Sequence, residues 1–406
     1  MRFSGFDDEW IEEKLGNLVQ IKSGECTKNL ITGIDNSIPY FKVEQLNNSL
    51  KYQIKTPYFI NDKSKIVNKG SIIFPKRGAA ILLNKIRILN QDSFMDTNLM
   101  TLTPNNKLYN EFLYYFIYKE NLSKIADTTS IPQLNNKHIK PYPIKLPSFE
   151  EQLKISKFIS SVDKKVSLLS QNLEIFNDFK KGLLQQIFTQ KLRFDFDEDW
   201  YIDKIGNNSE VFGRIGFRGY TVDDLVDKGQ GALTIGGKHI SKNFQLDLSD
   251  PEYLSWEKYE ESPEIKIYNG DVLLVKTASV GKVCFIENLN EPATLNPQLI
   301  VFKNIKLNNK FFYYYLTSNL FQKDIHKIKS TTGIPTITQK ELLNLNIIYP
   351  SLEEQEKIVN FLSIVDKKIS SIDKNLKDIK KFKKGLLQQM FVVQLILSLL
   401  QNKKHI

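Results

Sequence analysis

Two loops of the chain combine basic or hydroxyl side chains with glycine, a combination suited to contact with nucleic acid. The first follows an apolar run at 71–74 and continues from Pro75 as Pro-Lys-Arg-Gly. The second follows a similar run at 271–275 and continues from Lys276 as Lys-Thr-Ala-Ser-Val-Gly-Lys. Arginine and lysine contact phosphates and pair with guanine, and glycine lets a backbone approach closely. We predict that these loops, and a third basic, glycine-rich loop at 213–220, contact DNA.

The side chains that we assign to DNA contact are positively charged or carry a hydroxyl group. They are Lys76, Arg77, Lys85 and Arg87 in the first half of the chain, and Arg214, Arg218, Lys276, Thr277, Ser279 and Lys282 in the second. The alternative interpretation, that these are ordinary surface loops, stays open on the residues alone.

No catalytic or metal-binding pattern accompanies these loops. The tetrapeptide 296–299, Asn-Pro-Gln-Leu, lacks the second proline and the aromatic residue with which adenine methyltransferases hold a flipped base. The stretch 231–238, GALTIGGK, resembles a phosphate-binding loop, but its spacing is wrong and His239 stands where serine or threonine is required. The fragment 264–266, Glu-Ile-Lys, has no upstream acidic partner for a nuclease site. The 4 histidines and 2 cysteines lack the spacing of metal ligands. We predict no catalytic residue, no metal site and no cofactor in this chain.

Composition is that of a soluble protein with several packed cores. The chain has 406 residues, 41% of them hydrophobic, and a net charge of +10. This length predicts two or three domains, and the positive charge is compatible with nucleic acid. Residues 1–10 are acidic and aromatic, without the apolar segment of a secretion signal. The longest apolar run, 391–400, is about half of what a bilayer span requires. We therefore expect a cytoplasmic protein without a membrane segment.

A long internal repeat is the strongest pattern in the sequence. The segment from Pro147 recurs from Pro350 after about 203 residues, with about 25 of 42 positions identical. Upstream, 128–132 matches 331–335, and the start of each half matches through 6–10 and 196–200. A period of this length indicates a duplicated module rather than a solenoid. The chain therefore carries two divergent heads followed by two nearly identical tails.

Each tail is predicted to be one long amphipathic helix that pairs with the other. Apolar residues alternate at spacings of four and three, which is typical of a coiled-coil seam. In the first tail they are Ile155, Ile159, Val162, Val166, Leu169, Leu173 and Phe176. In the second they are Ile358, Leu362, Val365, Ile369, Ile372, Leu376 and Ile379. The alternative is that each stripe packs on its own head. A helix of about 38 residues is about 57 Å long, so the tails act as spacers.

The heads are predicted to be mixed α/β domains. The runs 71–74 and 271–275 are strand-like and follow glycines, and the aromatic-rich segments 111–117 and 311–316 indicate buried helices.

Taken together, these residues resemble the specificity subunits of type I restriction–modification systems. The most specific marks are the repeated Pro-x-x-Glu-Glu-Gln at Pro147 and Pro350, and the repeated Lys-Lys-Gly-Leu-Leu-Gln-Gln at Lys180 and Lys383. Asp-Thr-Asn-Leu at 96–99, Asn-Pro-Gln-Leu at 296–299 and Gly-Asp-Val-Leu-Leu at 270–274 also look like family sequences. The resemblance covers almost the whole chain.

The resemblance implies an α+β (mixed α/β) architecture with a pseudo-two-fold internal repeat, in which two long antiparallel coiled-coil helices separate two target-recognition domains. The expected boundaries are 1–146 for the first target-recognition domain, 147–190 for the central conserved helix, 191–349 for the second domain, 350–391 for the C-terminal helix, and 392–406 for an apolar and basic tail. The family usually ends before such a tail, whose role the resemblance leaves open.

The resemblance also implies a non-catalytic DNA-binding subunit that recognises a bipartite site on double-stranded DNA. Its partners would be two methyltransferase subunits and restriction subunits that translocate DNA. S-adenosylmethionine, ATP and Mg would be used in those partners. The alternative function is a coiled-coil interaction scaffold for a non-DNA partner, and a third is a nuclease that needs a metal. Salt-sensitive binding to duplex DNA separates the first from the second.

Overall fold

A computed structural model of the protein describes residues 2–27, 30–32, 37–61, 66–127, 131–214, 216–330 and 333–391. The repeated Thr-Thr pairs at 128–129 and 331–332, and the segment 392–406, lie outside the described residues. By packing, the chain divides into two units. Unit 1 comprises Met1–Leu168 and Asn375–Ile406, and unit 2 comprises Leu169–Lys374.

Unit 1 contains three small sheets and short helices. Its strands are β1 (Ile11–Lys14), β2 (Val19–Ser23), β3 (Ile31–Thr32), β4 (Ile38–Phe41), β5 (Tyr52–Gln53), β6 (Tyr58–Ile60), β7 (Ile72–Pro75), β8 (Arg87–Leu89), β9 (Phe94–Met95), β10 (Leu99–Pro104) and β11 (Pro143–Leu146). Its helices are α1 (Leu15–Leu18), α2 (Asn110–Glu120), α3 (Asn136–Ile139) and the first half of α4 (Phe149–Phe188). The sheet orders are β1-β11, β2-β10-β7-β8-β5 and β3-β6-β4-β9.

Unit 2 repeats this plan. Its strands are β12 (Tyr201–Lys204), β13 (Glu210–Gly213), β14 (Leu225–Val226), β15 (Gly231–Ile235), β16 (Glu252–Ser255), β17 (Val272–Val275), β18 (Val283–Phe285), β19 (Ala293–Leu295), β20 (Leu299–Lys303) and β21 (Asn346–Tyr349). Its helices are α5 (Ile205–Asn208), α6 (Trp256–Glu260), α7 (Asn309–Thr317), α8 (Asn319–Ile328), α9 (Gln339–Leu343) and the first half of α10 (Leu352–Phe391). The sheet orders β12-β21, β13-β20-β17-β18 and β14-β16-β15-β19 match those of unit 1, where β5 is an addition. The mixed α/β prediction is therefore correct for both heads.

The predicted local elements are present. The apolar runs at 71–74 and 271–275 form β7 and β17, which are fully buried. The aromatic segments form α2 and α7, and each helix buries an unbroken run of large side chains. Glycine supplies the turn before each of these strands, because Gly70 and Gly270 have φ angles of 85° and 96° that other residues rarely adopt.

Both tails are single helices of 40 residues, α4 and α10. Their repeated Glu-Glu-Gln motif has a packing role. Glu151 is fully buried and accepts two hydrogen bonds from the guanidinium of Arg2, both of 2.9 Å. Glu354 accepts the equivalent pair from Arg193, at 3.2 and 2.8 Å. Each of these glutamates ties the start of its head to the start of the tail that follows it.

Unit 1 also contains the last part of α10, residues 375–391. This part of α10 and the first half of α4 run in opposite directions along α2. The contacts, in order along α2, are Tyr109 with Gln152, Phe112 with Phe391, Tyr115 with Asp163, and Tyr118 with Lys383. The α4 numbers rise along α2 while the α10 numbers fall, so the two segments are antiparallel.

Within unit 2, the same order recurs along α7. The contacts are Asn308 with Gln355, Phe311 with Phe188, and Tyr314 with Asp366 and with Lys180. The seam residues of the first half of each tail pack in the same cores as these head aromatics and the end of the other tail. Every predicted seam residue is buried or half-buried. In the part of the chain that the structure describes, no helix is long and apolar enough to cross a bilayer.

Candidate nucleic-acid interface

In unit 1, three loops meet where β7 ends. The N–H of Lys76 donates to the carbonyl of Asn98 (2.8 Å), which belongs to the turn between β9 and β10. The carbonyl of Lys76 accepts from the N–H of Leu134 (2.9 Å), and the N–H of Gly78 donates to the carbonyl of Pro132 (2.9 Å). These bonds bring the 76–78 loop, the 96–98 turn and the 132–134 segment into one cluster.

In unit 2, the same bonds assemble the loops at the end of β17. The N–H of Lys276 donates to Gln298 (2.8 Å), its carbonyl accepts from Ile337 (3.0 Å), and the N–H of Ala278 donates to Pro335 (2.8 Å). Ala278 has a φ angle of 65°, in the region where Gly78 lies at 80°. The second head thus keeps these backbone hydrogen bonds and a positive φ angle at this position, even where the glycine is replaced.

A side chain shapes the turn before each long strand. The Oδ1 atom of Asp96 accepts from the N–H of Asn98 (2.8 Å), and Oδ1 of Asn296 accepts from the N–H of Gln298 (2.8 Å). Burial raises the pKa of the Asp96 carboxyl above its ordinary value. The corresponding tetrapeptides at 96–99 and 296–299 therefore form structural turns, and the third residue of each is exposed to solvent.

A fourth segment joins each cluster beside the parallel strand pairs β4–β9 and β15–β19. After β4, the N–H of Lys42 donates to Oε1 of Gln45 (2.8 Å). After β15, the N–H of Gly236 donates to Nδ1 of His239 (2.9 Å). The stretch that resembled a phosphate-binding loop is thus a strand and a 3₁₀ turn, and its histidine closes that turn.

We name the two clusters by their residues. Loop surface 1 comprises 42–44, 76–78, 96–98 and 132–133. Loop surface 2 comprises 236–238, 276–279, 296–298 and 335–336. Their backbones correspond but their side chains differ: Arg77, Asp96 and Glu44 give surface 1 charges of both signs, where surface 2 has Thr277, Asn296 and Lys238.

Five of the predicted DNA contacts lie on these surfaces: Lys76, Arg77, Lys276, Thr277 and Ser279. The side chains of Lys76, Arg77 and Lys276 have no hydrogen bond or ion pair with any other described residue. Burial and the neighbouring Arg77 lower the pKa of the Lys76 ammonium. The hydroxyls of Thr277 and Thr336 lie 3.2 Å apart. The side chains of Lys76, Arg77 and Lys276 are therefore available to a phosphate or a base.

Three further predicted residues make hydrogen bonds within the protein. Arg87 donates to the carbonyls of Leu46 (2.6 Å) and Ile86 (2.7 Å), and burial lowers its pKa. Lys85 donates to Oδ1 of Asn47 (2.5 Å). Lys282 donates to the carbonyl of Ile240 (2.8 Å). Each holds a neighbouring loop in place.

Arg214 is the clearest case of a packing role, because only 4% of it is exposed. Its guanidinium donates to the carbonyls of Leu295 (3.1 Å) and Arg218 (3.2 Å) and to the hydroxyl of Thr294 (3.2 Å), and burial lowers its pKa. Arg218 lies 3.4 Å from the carboxylate of Glu264. In this loop, residue 215 and the side chain of residue 217 lie outside the described part of the chain.

Four further polar residues of these surfaces, which were not predicted as DNA contacts, are Asn98, Gln133, Gln298 and Thr336. The available signal was position, since Asn98 and Gln298 lie in the tetrapeptides 96–99 and 296–299, and Gln133 and Thr336 directly follow the matching segments 128–132 and 331–335. The same loops expose an isoleucine in each unit, Ile131 at 60% and Ile334 at 69%. No group of three or more histidine, cysteine, aspartate or glutamate side chains suited to a metal occurs among the described residues.

A family model described as "Type I restriction modification DNA specificity domain" matches residues 7–175 and 240–381. The MjaVIII type I specificity subunit of Methanocaldococcus jannaschii is 25% identical over 403 residues, which cover 94% of this chain and 91% of that protein. The EcoBI type I specificity subunit of Escherichia coli is 21% identical over 404 residues, which cover 91% of this chain and 82% of that protein. The crystal structure of a type I S subunit from M. genitalium has a similar fold, with a TM-score of 0.61 at 17% identity, over 96% of this chain and 97% of that one.

Proposed function

The chain belongs to the type I restriction modification DNA specificity family and supplies sequence specificity for DNA, and from this premise we propose that its two units read the two halves of a split, asymmetric DNA site. One observation carries the proposal. The two loop surfaces share their backbone hydrogen bonds, yet they present different side chains. Two equivalent supports with different polar surfaces are what reading two unlike half-sites requires.

The free cations suit this role. Lys76 and Lys276 occupy the same place in both units, which suits a phosphate contact that fixes position without selecting sequence. Arg77 is exposed in surface 1, and Thr277 stands at the equivalent position of surface 2. An arginine makes its most specific contact with the O6 and N7 atoms of guanine. Surface 2 is mainly amide and hydroxyl. The scaffold alternative is not favoured by the family.

The tails supply the spacing in this proposal. Antiparallel segments of α4 and α10 in each unit, and seams that are buried or half-buried, support one antiparallel coiled coil between the heads. The functional boundaries would be 1–146 and 191–349 for the target-recognition domains, 147–190 and 350–391 for the helices, and 392–406 for the tail. The helices would dock two methyltransferase subunits and, through them, restriction subunits. Catalysis, with S-adenosylmethionine, ATP and Mg, would lie in those partners, in the cytoplasm.

The test compares Arg77→Ala with Lys276→Ala in the full chain assembled with its methyltransferase subunits. We expect each variant to weaken use of one half-site, and a different one in each case. A lost base contact costs about 1–3 kcal/mol and relaxes one position, whereas a lost phosphate contact weakens all sequences alike and reduces the salt slope by about one. The measurement is the methylated motif across a genome, together with duplex affinity at several salt concentrations.

Lys69→Ala and Lys306→Ala are the matched controls, because these exposed lysines lie at the opposite ends of β7 and β20 from the loop surfaces. They should leave the motif unchanged. If both loop variants methylate the normal site at normal rates, the loop surfaces are not where the bases are read. If the assembled chain shows no salt-sensitive duplex binding at all, the scaffold function replaces the proposed one.

A further inference from the structure

We propose that Gln298 is the side chain of loop surface 2 that reads a base, that the base is adenine, and that Gly236, Gly237 and Asn296 position it. This inference rests on the proposed function and deepens it for the second half-site. It also gives a role to Gly236 and Gly237, the glycine pair of the 231–238 stretch, which forms a strand and a 3₁₀ turn.

Gln298 is exposed at the tip of the turn between β19 and β20. Its backbone is fixed from both sides: its N–H donates to Asn296 (2.8 Å), and its carbonyl accepts from the N–H of Lys276 (2.8 Å). Its side-chain amide makes no hydrogen bond to any other residue in the described ranges. A fixed backbone that carries a free amide is the arrangement a base-reading side chain needs.

The glycine pair lies directly under this turn. A methyl group built on Gly236 would lie 2.7 Å from Nδ2 of Asn296, and one built on Gly237 would lie 3.1 Å from Oε1 of Gln298 and 3.5 Å from Oγ of Ser279. A side chain at position 236 would therefore crowd the amide of Asn296, which holds the turn. A side chain at position 237 would crowd the amide of Gln298, which reads the base. The two glycines let the strand end pass close beneath both side chains.

The donor and acceptor groups of the glutamine side chain identify adenine as the base. A glutamine amide donates one hydrogen bond and accepts another in the same plane, which matches the N7 and N6 groups of adenine in the major groove. Surface 2 has no free arginine to compete for this role, since Thr277 stands at the position of Arg77 and Arg214 is buried. Lys276 lies beside Gln298 and suits the adjacent phosphate.

Surface 1 does not repeat the arrangement. Lys42 and Val43 occupy the places of the two glycines, and a carboxylate, Asp96, replaces the amide of Asn296. The inference therefore applies to the second half-site only, and Asn98→Ala is the matched control.

The experiment measures duplex affinity of the assembled complex on its own methylated motif, with 7-deazaadenine replacing each adenine of the two half-sites in turn. This analogue lacks N7 and keeps every other group. For the wild-type chain, we expect one substitution in one half-site to weaken binding about 5- to 150-fold, the range of a bidentate base contact. Gln298→Ala should weaken binding to the normal duplex by a similar factor, and the analogue at that adenine should then have no further effect. Gln298→Glu, which keeps the shape but cannot donate to the N7 acceptor, should behave like the alanine variant.

Gly236→Ala tests the positioning residues. It should reduce discrimination at the same adenine and leave all other positions of the motif unchanged, which a general loss of stability would not do. Asn98→Ala should remain fully sensitive to the analogue at that adenine. If Gln298→Ala keeps the same sensitivity as the wild type at every adenine, the inference is wrong while the proposed function stands. If the wild-type complex has no bipartite motif at all, both fail.

Discussion

At the residue scale, the structure separates basic side chains that look alike in the sequence. Arg77 and Arg214 both follow a strand in a glycine-containing loop. Arg77 is exposed, whereas Arg214 turns inward beneath the loops because the carbonyl and hydroxyl groups of β19 accept its hydrogen bonds. An arginine that saturates buried acceptors stabilises the fold, and one that leaves its donors free remains available to a ligand.

Arg214→Ala should lower the free energy of unfolding of the chain by about 3 kcal/mol, because it leaves several buried oxygen atoms without a hydrogen bond. Arg77→Ala should change it by less than about 0.5 kcal/mol, as is usual for an exposed position. Urea unfolding followed by circular dichroism measures both. Equal effects of the two substitutions would contradict the difference in role.

At the element scale, a cluster of one tyrosine, one aspartate and one lysine joins three helices in each unit, and we call this cluster the junction. The hydroxyl of Tyr115 donates to Asp163 (2.7 Å), and Lys383 lies 2.5 Å from the other oxygen of that carboxylate. Tyr314, Asp366 and Lys180 repeat the arrangement, at 2.7 and 2.6 Å. Burial, followed by the nearby aspartate, raises the pKa of both tyrosines, so the phenols stay protonated and donate. One head helix is thus bonded to its own tail and to the end of the other.

Lys383→Met should lower the free energy of unfolding by about 2 kcal/mol, because Asp163 is only 22% exposed and loses a charged partner. Lys181→Met is the matched control, since its ion pair with Asp178 is 69% and 66% exposed and such surface pairs contribute about 0–1 kcal/mol. The two variants are compared by thermal unfolding. A similar small shift for both would show that the junction is not a stabilising contact.

The sequence predicted those elements whose signal is local. The periodicity of the tails, the aromatic runs and the buried strands each act over a few residues, and each corresponds to an element of the structure. The junction and the loop surfaces depend on partners far apart in the chain, such as Gly236 with Asn296 or Asp163 with Lys383. Neither spacing nor composition reports such a contact. The repeated Lys-Lys-Gly motif therefore served as a family mark, while its ionic role became visible only in the packed helices.

At the scale of the whole molecule, the proposed coiled coil makes the tails the determinant of distance along DNA. Two heads that reach the major groove from one side require half-site centres about one helical turn, or about 34 Å, apart. The recognised site should then be two short blocks separated by a fixed number of unread base pairs.

Inserting one heptad after Leu173 and another after Leu376 should lengthen the gap by about three base pairs. Seven residues keep the seam in phase and add about 10 Å of helix, and one base pair takes about 3.4 Å. Sequencing of methylated motifs measures the gap, and insertion in α4 alone is the control that puts the two helices out of step. Altered half-sequences at an unchanged gap would show that the helices do not set the distance.

The two ends of each head lie side by side, because β1 pairs with β11 and β12 pairs with β21. In genetic terms, the second head is a cassette flanked by codons for similar residues, since the two tails that border it repeat one another. A crossover within the tail codons of two such genes exchanges one cassette whole, without cutting through a sheet. Under the proposed function, the lineage would acquire a new half-site in a single recombination event, while the helices proposed to set the spacing would pass on unaltered.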